Sequence, residues 1–136
     1  MTNADLIAVA RGMTLHSYAP YSHYRVGAAL LCRDGRVYTG CNIENAAFGP
    51  TVCAERVAFF SAVRDGERDF DRIAIVGGEE GRITAFAAPC GVCRQVMREF
   101  CRDDFVVVLS DGREIREFTL AALLPQSFSP ANLGKE

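Results

Sequence analysis

This 136-residue chain has no tryptophan, one lysine and two histidines, His16 and His23. Its positive charge is almost all arginine, scattered along the chain. Fifteen Lys and Arg against seventeen Asp and Glu leave a net charge of −2. With no basic patch or stripe, a nucleic acid polymer is not an expected partner. No apolar run approaches the roughly 20 residues that cross a bilayer, so no membrane partner is expected either. There is no internal repeat, low-complexity tract or linker, and residues 1–136 are expected to form one domain with an ordinary hydrophobic core. No secretory signal pattern is seen, so the six cysteines are expected to stay reduced in the cytoplasm rather than to pair as disulfides.

The apolar pattern gives a coarse order of elements. Residues 3–17 read as an amphipathic helix with Leu6, Ile7, Ala10, Met13 and Leu15 inward, weakened at its end by Gly12. Strands 26–32 and 37–43 flank Asp34-Gly35, a strong hairpin signal. A helix over about 52–64, a short strand at 72–76 and a helix over 90–101 follow. Then come a continuous apolar strand at 105–109, a weaker one at 114–118, and a short helix at 120–124 capped by Thr119 and stopped by Pro125. Strands separated by helices pair in parallel and hairpins pair antiparallel. The prediction is therefore an α/β fold, a three-layer α-β-α sandwich on a mixed five-stranded sheet. The second helix, with Val57, Ala58, Phe59, Phe60, Ala62 and Val63, is apolar on all sides, which points to cover from a neighbouring subunit.

The chemistry is concentrated in Thr51-Val52-Cys53-Ala54-Glu55-Arg56 and Pro89-Cys90-Gly91-Val92-Cys93-Arg94-Gln95. Three thiolates and a carboxylate free of the metal suit an open zinc site, since structural sites are usually closed by four protein ligands while catalytic ones keep three. Pro89 suits the first position of a helix, which would place Cys90 and Cys93 on one face of its opening turn. Thr51 is the expected N-cap of the preceding helix. The positive ends of both helices favour thiolate. Glu55 lies two residues past Cys53, roughly 200° around the helix, beside the metal without sharing its aim. Two other readings compete. Cys90 and Cys93 could be a redox pair, which leaves Cys53-x-Glu55 unexplained. A structural zinc site could take a fourth ligand from Cys32, Cys41, Cys101, His16 or His23.

Together the two motifs resemble the zinc-dependent nucleobase deaminases. Tyr18-Ala19-Pro20-Tyr21-Ser22, Val26-Gly27-Ala28-Ala29-Leu30, Gly40-Cys41-Asn42-Ile43-Glu44-Asn45-Ala46 and Leu123-Leu124-Pro125 extend the likeness over nearly the whole chain. In these segments it is similar to the small homotetrameric cytidine deaminases. The resemblance implies one Zn2+ per chain on Cys53, Cys90 and Cys93, and hydrolysis of cytidine and deoxycytidine to uridine and deoxyuridine with release of ammonia. In that reaction zinc hydroxide attacks C4 while Glu55 shuttles protons.

Asn42 and Glu44, i and i+2 near a strand end, leave on one face, where an amide and a carboxylate can bind a sugar hydroxyl. The resemblance assigns them to the ribose and the Ala54 backbone to the base. Arg56 would withdraw charge from the thiolates, and Gln95 would support the site. Tyr24 and Phe128 would be pocket walls, Phe128 reaching a neighbouring subunit's base, so that active sites are shared within the homotetramer. Tyr24 stands where the family commonly has Phe, Arg25 where Pro is usual, and Phe48 where Tyr is frequent. A deaminase of another cytosine-containing nucleoside analogue and a non-catalytic zinc module remain as alternatives.

Overall fold

The computed structural model describes residues 1–135; Glu136, the last residue of the expected domain, lies outside them. The elements are α1 (Asn3–Met13), β1 (Tyr24–Cys32), β2 (Val37–Cys41), α2 (Ala54–Arg64), β3 (Phe70–Glu79), α3 (Gly91–Phe100), β4 (Val106–Ser110), β5 (Ile115–Thr119) and α4 (Leu120–Leu123). The sheet order is β2-β1-β3-β4-β5. Only β3 and β4 are parallel; the other neighbours run antiparallel, giving the mixed five-stranded sheet that the alternation of helices and hairpins predicts.

The period-2 side-chain alternation of the strands sorts the core into two layers. Ala28, Leu30, Ile73, Ile75, Val107 and Leu109 face α2 and α3, packing with Ala58, Phe59, Ala62 and Met97. Ala29, Ala74, Val76 and Val108 face the other way and pack beneath Leu6, Ile7 and Ala10 of α1. Helices on both faces complete the α-β-α sandwich. Phe59 anchors the larger layer, its ring 5.1 Å from that of Phe70 and 6.0 Å from that of Phe105.

One close approach sets the position of the site. A Cβ on Gly40 would lie 2.2 Å from the Ala54 carbonyl oxygen and 2.7 Å from the Ala58 nitrogen. The absence of a side chain on β2 lets the first turn of α2 settle directly on the sheet.

Four local expectations are corrected. Leu15 does not point inward: α1 ends at Met13, a tight turn spans Thr14–His16, and Leu15 is 80% exposed. Thr51 does not cap α2. Val52 and Ile43 exchange two backbone hydrogen bonds of 3.0 Å, which hold the chain extended through residue 52. Cys53 is therefore the N-cap, and the Thr51 hydroxyl accepts from the Asn45 amide instead. Cys90, extended at ψ 167, likewise caps α3, with Pro89 one residue before the cap rather than at the first helical position. Finally, β3 continues past residue 76 through Gly77-Gly78, which pair with Val26 and Arg25 of β1.

Candidate active site

The starts of α2 and α3 lie together on one face of the sheet, and each presents cysteine at its cap. Cys53 and Cys90 have their Sγ atoms 3.8 Å apart, and Cys90 donates to Cys93 Sγ at 3.5 Å. Sulfurs bound tetrahedrally at ~2.3 Å from a zinc would sit about 3.8 Å from one another. The three thiols therefore have the spacing of a zinc ligand set. Among the described residues no fourth His, Cys, Asp or Glu joins their cluster. Cys32 instead lies near Asp34 and Glu67, and Cys41 donates to the His16 carbonyl oxygen. The closed four-ligand reading is thereby set aside.

Electrostatics at the cluster follow from its neighbours. A hydrogen bond from Cys93, opposed by burial and reinforced by Arg56, brings the Cys53 thiol down to about 5. The same bond and burial push Cys93 up. Arg56 donates from Nη2 to Cys53 Sγ at 3.4 Å, and that bond raises the guanidinium further above neutrality. Glu55, at the second helical position of α2, is 4% exposed. Burial first, and then the Cys53 charge, push its carboxyl up to about 7 against a bond from its own backbone amide.

A cavity of ≈ 560 Å³ opens beside the cluster, within the range of small-ligand sites. Its lining combines Cys53, Cys90 and Glu55 of the thiol cluster with Asn42, Glu44 and Ser22, and is completed by side chains that include Tyr24, Val26, Ile75 and Phe86. Asn42 and Glu44 share the cavity face, as their i, i+2 spacing predicts, while the intervening Ile43 is 44% exposed. Asn42 accepts from the Val26 amide at 2.9 Å and donates to the Tyr24 carbonyl oxygen at 2.7 Å, which fixes its amide against β1. Glu44 accepts from the Tyr21 and Ser22 amides at 3.0 and 3.1 Å and from the Ser22 hydroxyl. These donors, led by the hydroxyl, hold its carboxyl below the usual carboxylate range. Tyr24 is raised by burial and by the neighbouring Glu55 charge.

The other sequence-predicted residues lie off the cavity wall. Ala54 is fully buried at the start of α2, against Gly40. Gln95 donates to the Phe128 carbonyl oxygen at 2.9 Å and so ties the C-terminal segment to α3. Phe128 itself is 60% exposed. Sequence reasoning missed Ser22 and Phe86. Ser22 is signalled only by its partnership with a carboxylate 22 residues away. Phe86 could have been noticed as the one aromatic in Thr84-Ala85-Phe86-Ala87-Ala88, next to the second zinc motif.

Residues 1–109 match the family model described as "Cytidine and deoxycytidylate deaminase zinc-binding region". A Sporosarcina psychrophila protein named cytidine deaminase is 49% identical over 129 residues, covering 94% of this chain and 92% of the relative. The crystal structure of cytidine deaminase from Burkholderia pseudomallei superposes with a TM-score of 0.87 at 44% identity, covering 94% of this chain and all of that one. A Bacillus cereus protein named Blasticidin-S deaminase is 32% identical over 129 residues, covering 92% of this chain and 91% of the relative. With a family match over residues 1–109, and relatives that align almost end to end, this chain belongs to the zinc-binding cytidine and deoxycytidylate deaminases.

Proposed function

We propose that residues 1–136 form one catalytic domain that hydrolytically deaminates cytidine and deoxycytidine to uridine and deoxyuridine. The observation that carries this is a single cavity lined both by a buried glutamate beside a three-thiol cluster and by an amide–carboxylate pair. The ribose binds toward Asn42 and Glu44, whose remaining hydrogen-bonding capacity meets its hydroxyls. The pyrimidine then lies with C4 toward Glu55. Cys53, Cys90 and Cys93 hold one zinc, and Arg56 draws charge from Cys53. When bound, the zinc supplies the Lewis acidity that makes water a nucleophile near neutral pH.

Glu55 takes a proton from the attacking water and delivers it to N3 as the new oxygen bond forms at C4. It then carries a second water proton to the 4-amino group. The C4–N bond breaks, and ammonia leaves. A carboxyl close to neutrality can hold and release a proton at each stage.

The alternative of another cytosine-containing nucleoside analogue is disfavoured by the Asn42–Glu44 pair, and the 49% identical relative points to cytidine over the 32% identical one. We further propose a cytoplasmic homotetramer in which Phe128 of one protomer completes a neighbour's pocket. On α2, Ala58, Phe59 and Ala62 are buried within the chain while Phe60 remains 48% exposed, and Phe48 in the segment before α2 is 92% exposed, surfaces suited to a second copy. All six cysteines are free thiols, in keeping with a reducing compartment. No helix among the described residues is long and apolar enough to cross a membrane.

The direct test is ammonia release from cytidine, deoxycytidine and free cytosine, with zinc analysis on the same preparation. Turnover of both nucleosides with poor use of cytosine is expected; equal use of cytosine contradicts the sugar-site reading. Light scattering over a dilution series tests assembly, and a monomer with full specific activity would refute the shared site.

A further inference from the structure

We infer that Phe86 is a substrate-contact residue on the base side of the cavity, held in place by Arg116 as a positioning residue. This rests on the nucleoside reading above. Residues 82–90, which connect β3 to α3, contain no helix or strand. A wall built from such a segment has no backbone ladder to fix it, so its side chains must be held from outside.

Phe86 is held in this way. Its ring is partly buried against the sheet core and lines the cavity together with Ala87, Ala88 and Cys90. The Arg116 guanidinium carbon sits over the ring, 4.4 Å from the centroid. This is a cation–π contact well within the ~6 Å reach of that interaction. Arg116 belongs to β5, the edge strand, where it pairs with Leu109, and its guanidinium is gripped by Glu114 at 2.6 Å. Glu114 and Arg116 thus brace from outside a ring that faces the substrate inside. Phe86 lies four residues before Cys90 and under Arg116 of β5, whereas Asn42 and Glu44 follow β2 at the opposite edge of the sheet. The ring therefore meets the pyrimidine rather than the ribose. Its small neighbours Ala85, Ala87 and Ala88 leave it the one large side chain on this stretch of wall.

The test is steady-state kinetics on the zinc-loaded enzyme. Phe86→Ala should raise KM for cytidine on the order of tenfold or more. Arg116→Leu should raise it roughly two- to five-fold, the worth of an exposed cation–π contact. In both, kcat and zinc content should stay near wild type. Arg116→Lys, which keeps a cation, should restore much of the KM. Because the contact is with the base, the KM ratios should be the same for cytidine and deoxycytidine. The double variant should bind no worse than Phe86→Ala alone, since Arg116 acts only through the ring. A purely structural role for Arg116 in β5 would instead lower the melting temperature without a KM change, and an action on binding independent of the ring would make the two KM losses add. Additive losses, an unchanged KM in Arg116→Leu, or a fall confined to kcat would overturn the proposal. A wild-type enzyme that leaves cytidine untouched would instead sink the nucleoside reading on which it stands.

Discussion

Glu44 and Glu55 line the same cavity, and their surroundings drive them in opposite directions. Glu44 accepts two backbone amides and the Ser22 hydroxyl, which hold it ionised. Glu55 is buried at the start of α2 beside a charged thiol, and its carboxyl rises to about 7. In the proposed reaction, environment rather than residue type divides the labour between them. A carboxylate satisfied by the protein is a fixed acceptor, fit to recognise a hydroxyl, and one whose burial outweighs its donors can exchange protons. The same contrast separates the groups around them. Asn42 is pinned at both ends of its amide by β1, whereas Cys53, Cys90 and Cys93 bring their sulfurs together at metal-ligand spacing.

Disabling the reactive groups should give the largest effects. Cys93→Ala is expected to lose zinc, to bring turnover below detection, and to cost about 4 kcal/mol of stability, the linkage from a ligand at a thousandfold its Kd. Metal analysis and thermal melts check this; full zinc content in the variant would move the ligand assignment elsewhere. Gly40→Ala reaches the same groups indirectly. Its new Cβ would meet the Ala54 carbonyl oxygen, so the first turn of α2 must lift. The expected cost is about 1–3 kcal/mol of stability and on the order of 10² in kcat from misplaced Cys53 and Glu55. Melting temperature and kcat measured together would show it.

The recognition groups should respond more gently. Ser22→Ala removes one of the donors to Glu44 and leaves its two backbone bonds. It should raise KM for cytidine by roughly five- to tenfold, about 1 kcal/mol or slightly more, with kcat nearly unchanged. A kcat loss without a KM change would place Ser22 in the chemistry and blur the division between the two sets.

Much of this was legible in the chain. Strand alternation and the Asp34-Gly35 turn gave the element order and the mixed sheet, because both signals are local. Cys53-x-Glu55 and Cys90-x-x-Cys93 announced the metal cluster because their spacing acts within a single helical turn. What escaped depends on partners distant in sequence. The start of α2 is set by a bridge between Ile43 and Val52, so Thr51 resembles a cap and is not one. Gln95 is expected to support the site, and the partner it takes, the Phe128 carbonyl, is 33 residues on. Phe86 joins the pocket through Arg116, 30 positions away, and no period or motif encodes that pairing.

The division between the two carboxylates is tested most directly by steady-state kinetics of ammonia release from cytidine, comparing Glu55→Gln and Glu44→Gln with wild type at equal zinc content. Glu55→Gln should lose on the order of 10⁴ in kcat, at the top of the range for general acid–base work, with KM little changed. Glu44→Gln should keep most of its kcat and raise KM by about 10- to 100-fold, as expected for a weakened hydrogen bond to a sugar hydroxyl. If Glu55→Gln turns over near the wild-type rate, or if both variants lose kcat alike, the two carboxylates do not have the separate roles assigned to them.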